Sequence, residues 1–265
     1  MIPRHTPLPD VPAVLRAHAT STITVDPRGP LYDDLAQALA LGAVVRVDEH
    51  QPWNSLDVAD VSTYSARVFL AEHGINSADD WTAALGEALN PSGNDIDSVL
   101  GFRADLMRTG ETPTTGRWRA EMHEWLHDTD QTDDAHDAVD RIITAVDDIE
   151  TMFTSAGLLE PGIKIRSVAG HRLSWAVSVA RWGSSSGYGD YQAVRQALLA
   201  VRDLAGRHFV DWNEYAASTI AGFALEADDH TAAITTYLPP VATLLVAADS
   251  PWRNLTFPTD LDFAL

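Results

Sequence analysis

The sequence has no cysteine and a single lysine, Lys164, among its 265 residues. The lack of cysteine excludes disulfides, thiolate metal sites and a cysteine nucleophile, and it fits a cytosolic protein. Seventeen arginines supply the rest of the positive charge, and 28 aspartates outnumber ten glutamates. We interpret the replacement of lysine by arginine as the codon bias of a GC-rich genome, such as that of an actinobacterium.

Positive charge as a whole is scarce, and the net charge is −20. An average surface of this sign repels phosphate backbones and anionic lipids, so neither nucleic acid nor a membrane is expected as a partner. Uninterrupted apolar runs are short compared with the ~20 residues that span a bilayer. The start, MIPRHTPLPDVPAVLRAHATST, lacks the apolar region of a secretory signal. The sequence therefore predicts a soluble, cytoplasmic protein.

Patterns typical of strands are also nearly absent, whereas apolar residues recur at threes and fours through most of the chain. We expect an all-α fold, a compact bundle-like array of about nine or ten helices. A proline-rich, extended N-terminal arm is predicted for residues 1–30. The connector Leu158 to Ile165 is the best candidate for a hinge between an N-terminal helical subdomain, residues 31–157, and a C-terminal one, residues 158–265.

Several helix limits follow from local signals. Ser77 and Asp80 resemble a capping box, and the longest helix is predicted to follow Thr132 and to stop at Gly157. Breaks are expected at 90–93 and 110–116, and Trp125 and Leu126 are predicted to lie in the core. Four more helices are expected at about 168–182, 189–207, 211–226 and 229–247, with a small-residue loop over 184–189 and an irregular tail from Asp249.

The sharpest chemical pattern is His123-Glu124-Trp125-Leu126-His127, an HExxH sequence. On a helix, His123 and His127 share a face and can bind zinc while Glu124 acts as general base, which would make the protein a zinc-dependent hydrolase. His136 or one of several aspartates would be the third ligand. The acidic residues that follow His127 predict that the helix ends there, which favours a partly exposed helix end over a metal site.

Acidic residues are concentrated between Glu111 and Glu160, where thirteen carboxylates face three arginines. The acids near the start of the long helix are favoured there by its open backbone amides and its dipole. The order of acids does not match a calcium loop. A docking face for a basic partner, including Asp130, Asp137 and Asp140, is the alternative interpretation.

Conventional catalytic signatures, namely a GxSxG elbow, a P-loop and a GxGxxG turn, are missing. The C-terminal half, however, contains ordered landmarks: Arg181-Trp182-Gly183, Gly187-Tyr188, Trp212 in Phe209 to Tyr215, Gly222 and Ser250-Pro251-Trp252. Over residues 165–258 this order resembles the bacterial family known as domain of unknown function 1266. Glu72 to Leu89 loosely resembles an upstream helix pair of that family.

The resemblance implies an all-helical bacterial protein without an assigned activity, and relatives have no counterpart of the HExxH sequence. Where the family has Trp/Tyr-Asp and Arg before the Arg-Trp-Gly landmark, this chain has His171-Arg172 and Trp175. Tyr188, Trp212 and Trp252 suit helix junctions, because their polar tips need partners when buried. The alternative interpretation is that these three residues line a ligand- or partner-binding site. Arg181, on an apolar helix, is expected either to pair with a carboxylate or to contact a ligand.

Three functions remain open at this point. The first is a non-enzymatic protein that acts by protein–protein interaction, in a regulatory, chaperone-associated or toxin-neutralising role and without a cofactor. The second is the zinc-dependent hydrolase. The third is a small-ligand-binding helical protein with a pocket lined by Arg181 and Tyr188.

Overall fold

The computed structural model describes residues 12–58, 60–90, 95–108 and 112–259. Four sequence predictions fall partly outside the described residues: the first eleven residues of the arm, the break at 91–93, the loop at 110–111, and the last six residues of the tail. Every other predicted element can be compared with the structure.

The described residues form thirteen helices and no strand, apart from an isolated bridge between Thr24 and Pro52. The helices are α1 Ala13–His18, α2 Asp34–Leu41, α3 Ala43–Asp48, α4 Thr63–Glu72, α5 Ala78–Ala88, α6 Asp95–Arg108, α7 Thr115–Asp128, α8 Asp133–Ala156, α9 Ala169–Ser186, α10 Tyr191–His208, α11 Trp212–Glu226, α12 His230–Val246 and α13 Pro251–Asn254. Ten of them have eight residues or more. The predicted all-α array is confirmed.

The helix limits show why local sequence signals were sufficient for several elements. The Ser77 side chain accepts a hydrogen bond from the Asp80 amide, and the Thr132 side chain caps the start of α8 in the same way. Gly157 ends α8 with a φ of 74°, in the left-handed region that glycine enters without a steric penalty. These caps satisfy amides and carbonyls that a helix end leaves open.

Three local predictions need correction. The described part of the N-terminal arm is not wholly extended, because α1 forms there and buries Leu15. The residues at 184–186 belong to α9 and not to a loop, and the helix ends at Gly187. The tail contains the short helix α13, which begins after the capping side chain of Ser250.

The core is organised around α9, which packs against α2, α4, α5, α10 and α11. Buried apolar residues from both sides of Leu158 form one continuous cluster, from Leu15 to Phe257. The division of the chain into two subdomains stays a prediction.

One segment, His230–Asn254, is long and apolar enough to cross a membrane by length and composition alone. A core helix meets the same criteria, and here Leu238, Val241 and Leu244 are buried while α12 packs against α11 and α3. The sequence expectation rested on uninterrupted apolar runs, and threonine and proline residues interrupt this segment. The expected absence of membrane binding stays a prediction.

Candidate functional site

Helices α7 and α8 form an antiparallel hairpin, and side-chain contacts along its length set the register. Thr115 Oγ1 donates to Asp147 Oδ1 at 2.6 Å near the open end. Farther along, Arg119 Nη2 donates to Thr144 Oγ1 at 3.0 Å. The chain reverses through a turn in which Asp130 has a φ of 52°, a left-handed conformation that aspartate tolerates better than most residues. This hairpin presents the HExxH sequence and most of the acidic block.

His123 lies inside the hairpin and contacts α8 through both ring nitrogens. Its Nδ1 lies 2.6 Å from Nδ1 of His136, and its Nε2 lies 3.0 Å from Asp140 Oδ1. The Asp140 carboxylate only accepts, so Nε2 of neutral His123 carries the proton and Nδ1 accepts from His136. Arg119 Nε also lies 2.9 Å from Asp140 Oδ1. Asp140 is therefore part of the hairpin's internal bonding.

This arrangement bears directly on the zinc hypothesis. Glu124 and His127 are exposed, and His123 is directed to His136 and Asp140. Two nitrogens 2.6 Å apart are at hydrogen-bond distance, whereas two ligands at the usual 2.0–2.1 Å from one tetrahedral zinc lie farther apart. Within the described ranges, no group of three or more His, Asp or Glu side chains has the geometry to hold a metal ion.

We expect the purified protein to contain less than one zinc per chain by elemental analysis. The physical reason is that the hairpin offers His123 internal partners on both nitrogens. One tightly held zinc per chain that is lost in His127→Ala would contradict this expectation. Glu87→Gln, on another helix, is the control: it should keep any zinc, so loss of zinc in this variant would indicate general destabilisation.

The outer surface of the hairpin combines an exposed tryptophan with unpaired acids. We call this surface the hairpin face and define it by Trp125 and six exposed acids: Glu124, Asp128, Asp130, Asp133, Asp134 and Asp137. None of these six carboxylates lies within 4.0 Å of a cationic group of the described residues. The prediction that Trp125 is a core residue is wrong, because it is 46% exposed.

The different burial of Trp125 and its neighbours has a packing explanation. Trp118, Met122 and Leu126 follow each other at intervals of four and are buried. Trp125 lies at the edge of that stripe, where its ring contacts Phe102 of α6 with a centroid distance of 6.1 Å. Phe102 thus covers part of the indole, and 46% of the Trp125 residue stays exposed.

The structure gives Arg181 and Tyr188 different partners. Arg181 is 1% exposed and its Nη2 donates to the carbonyl oxygen of Trp53. Tyr188 Oη donates to the carbonyl of Asn76 at 2.8 Å, and Arg67 lies over its ring. The observed partner of Arg181 is a backbone carbonyl and not a carboxylate, and the expectation that it contacts a ligand stays a prediction.

Trp212 and Trp252 serve as packing residues at the junction of α11, α13 and α2. Their rings stack with centroids 5.3 Å apart. Trp212 Nε1 donates to the Leu255 carbonyl at 2.9 Å, and Trp252 Nε1 donates to the Ala40 carbonyl at 2.8 Å. Tyr215, which donates to the Leu41 carbonyl beside them, has its pKa raised by burial. These contacts give both tryptophans the structural role expected for helix junctions.

Comparison with known proteins gives one match. The family model described as "Protein of unknown function (DUF1266)" matches residues 71–257, which is more than half of the chain. The chain belongs to the DUF1266 family. No curated protein and no solved structure matches it. The match begins at residue 71, well before the clear landmarks, and includes the upstream helix pair that the sequence suggested.

The Arg-Trp-Gly landmark of this DUF1266 protein lies where α9 meets three other segments. Arg181 is directed to the carbonyl of Trp53, as described above. Trp182 stacks on Phe69 of α4, with centroids 4.1 Å apart. Gly183 lies against Trp81 of α5. Three consecutive residues thus fix three different segments to the central helix.

The DUF1266 match also contains a cleft of about 810 Å³, whose lining includes His73, Arg141, Arg172, Trp175 and Glu226. His73 and Trp175 make an edge contact with centroids 4.8 Å apart. Arg172 Nη2 donates to Asp97 at 3.1 Å, so this arginine is already paired. His171 Nδ1 lies 3.1 Å from Glu226 Oε1, and this interaction lowers the pKa of Glu226. Two of the positions where the chain departs from the family pattern, Arg172 and Trp175, therefore line this cleft, and His171 contacts Glu226 of its lining.

Proposed function

We propose that this DUF1266 protein is a non-enzymatic, cytoplasmic protein that acts by binding another protein through the hairpin face. The observation that carries the proposal is the exposed indole of Trp125 on a hairpin that also exposes six carboxylates without a cationic partner in the described part of the chain. Regulatory, chaperone-associated and toxin-neutralising roles all require such a surface. The net charge of −20 supports a protein partner over nucleic acid or an anionic membrane.

Each component of the face supports binding in a different way. Tryptophan is among the residues most enriched at energetic hot spots, because one rigid side chain covers a large apolar area. The acidic rim attracts a basic partner over about one Debye length, some 8–10 Å at moderate salt, and so raises the association rate. Arginine on the partner fits both components, since guanidinium pairs with carboxylates and stacks on indole.

The hairpin also holds this face in a defined shape. Trp118, Met122 and Leu126 anchor α7 in the core, and the Arg119–Asp140 pair joins α7 to α8. A face held on two packed helices loses little conformational entropy on binding. Asp140, which we considered part of the docking face from the sequence, contributes in this way to the support of the face.

We expect Trp125→Ala to weaken capture of the partner by roughly thirtyfold, which corresponds to a hot-spot contribution of about 2 kcal/mol. The triple variant Asp128→Asn/Asp130→Asn/Asp137→Asn should slow association and flatten the dependence of binding on salt. The measurement is a pull-down from the native host at low and moderate salt, followed by binding kinetics with the captured protein.

The matched control changes the net charge equally but elsewhere. Glu72→Gln/Asp228→Asn/Asp249→Asn removes three exposed carboxylates outside the hairpin face. This control should retain the partner that the hairpin-face variants lose. Identical lists of captured proteins for the wild type and both triple variants at both salt concentrations would exclude the docking role.

A further inference from the structure

Two buried arginines contact the same short segment, residues 51–53: the Arg46 carbonyl accepts from the Gln51 amide at 2.8 Å, and Arg181 Nη2 donates to the Trp53 carbonyl. Arg46 on α3 is 3% exposed and Arg181 on α9 is 1% exposed. Guanidinium keeps its proton under all ordinary conditions, so both side chains carry a charge inside the fold. A buried charge costs several kcal/mol unless an opposite charge and hydrogen bonds compensate it.

The compensation observed for these two charges is incomplete. Arg46 Nη1 donates to Glu49 Oε2 at 2.9 Å, but the Glu49 side chain is 44% exposed, and no second carboxylate of the described residues pairs with Arg46. Arg181 has no carboxylate within 4.0 Å among the described residues, and its Nε has no acceptor. Burial, followed by the charge of Arg46, lowers the pKa of Arg181 well below its ordinary value.

Arg103 provides an internal comparison. It is also 3% exposed, but both its terminal nitrogens reach the buried carboxylate of Glu150, at 2.7 and 3.3 Å. The fold therefore does supply an internal counter-charge to one buried arginine. At Arg46 and Arg181, two cations face a single, half-exposed anion.

Other unsatisfied polar atoms lie on the segment that covers Arg181. Trp53, whose carbonyl accepts from Arg181, has a buried indole N–H without an acceptor. Gln51 Oε1 is buried without a donor. The buried atoms without a partner here are thus two donors, Arg181 Nε and Trp53 Nε1, and one acceptor, Gln51 Oε1.

We propose that Arg46 and Arg181 form a binding site for a small oxyanion, a phosphate or a carboxylate, enclosed by residues 49–54. One negative charge would neutralise the excess of two guanidiniums over one carboxylate. Its oxygens would accept from the guanidinium fork and from the free donors, which is the pairing geometry that arginine favours. The Glu49 carboxylate already neutralises part of the charge at Arg46. Because Glu49 is half exposed, the anion would enter from solvent past this side chain.

The test compares melting temperatures in sodium phosphate, sodium acetate and sodium chloride at equal ionic strength. A ligand that binds only the folded state at about 100 times its Kd should raise the Tm of a chain of this size by roughly 5–10 °C. We expect phosphate or acetate, but not chloride, to raise the Tm of the wild type. Whichever of the two acts identifies the source of the oxyanion.

Glu49→Gln is the informative variant, because Glu49 is half exposed and its loss does not endanger the core. This variant should be less stable than the wild type in chloride and should gain more from the oxyanion, since the competing carboxylate is gone. Arg46→Gln should lose the oxyanion effect, and Arg28→Gln, an exposed arginine, should keep it. If the oxyanion raises the Tm of wild type, Glu49→Gln and Arg46→Gln equally, or does not exceed chloride, the proposal is wrong. Phosphorus NMR of the phosphate line with wild type and Glu49→Gln gives the same answer if Arg46→Gln does not fold.

Discussion

Replacing Glu150 by alanine is expected to lower the free energy of unfolding by about 3–5 kcal/mol, the usual cost of leaving a buried charge without its partner. Glu150 is 3% exposed and accepts from Arg103 Nη2 at 2.7 Å, from Lys164 Nζ at 2.7 Å and from the Ile165 amide at 2.9 Å. Its removal leaves Arg103 charged and buried beneath Trp118. The change would remove the contacts that join α6, α8 and the connector.

Urea unfolding followed by circular dichroism measures this loss as a lower midpoint with an unchanged slope. Asp148→Ala is the matched control, since Asp148 is an exposed carboxylate on the same helix and its removal should cost less than about 0.5 kcal/mol. Glu150→Gln should lie between the two, because the amide keeps part of the hydrogen bonding. A decrease in the free energy of unfolding below about 1 kcal/mol for Glu150→Ala would show that other groups neutralise the charge of Arg103.

The residues around Glu150 also show which features can be predicted from the sequence and which cannot. The long helix α8 was predictable, because Thr132 caps it and Gly157 stops it within the same short stretch of chain. Glu150 stands on the apolar stripe of that helix, four residues after Val146 and three before Phe153, and this is a visible sign of a buried acid. Its partner Arg103 is 47 residues away, and no local pattern identifies such a pair.

The candidate sites show the same limit. The spacing of His123 and His127 correctly places them on one helix, but it is the pairing of α7 with α8 that directs His123 to His136 and Asp140. Arg181 was recognisable as an unusual charge on an apolar helix. Arg46, the second charge beside it, belongs to a short helix that the sequence did not predict.

Serine side chains explain another difference. Residues 184–186 have low helix propensity and were predicted as a loop, yet each hydroxyl has a partner in the fold. Ser184 donates to Asp57 and Ser185 accepts from the Val58 amide, so both fix the segment before α4 to the end of α9. Tertiary hydrogen bonds outweigh a weak local preference there.

The last prediction concerns Gly183, the glycine of the Arg-Trp-Gly landmark. A Cβ atom at this position would lie 2.1 Å from Trp81 Nε1 and 2.3 Å from Trp81 Cε2. Trp81 is 4% exposed, and its Nε1 donates to the Val179 carbonyl at 2.9 Å. The indole is therefore held in the core and cannot yield without losing this bond.

We expect Gly183→Ala to lower the free energy of unfolding by about 2–4 kcal/mol. Alanine gains up to about 1 kcal/mol in helix propensity, but overpacking costs about 1–3 kcal/mol and an unsatisfied indole N–H a similar amount, so the steric effect dominates. Gly86→Ala is the matched control: it lies within α5, the helix of Trp81, and nothing would touch its Cβ within 4 Å. Thermal unfolding should therefore rank Gly86→Ala at or above the wild type and Gly183→Ala well below it. Equal stability of the two variants would mean that α5 can move away from α9 at little cost. The close approach of Trp81 would then not be the reason for glycine at position 183.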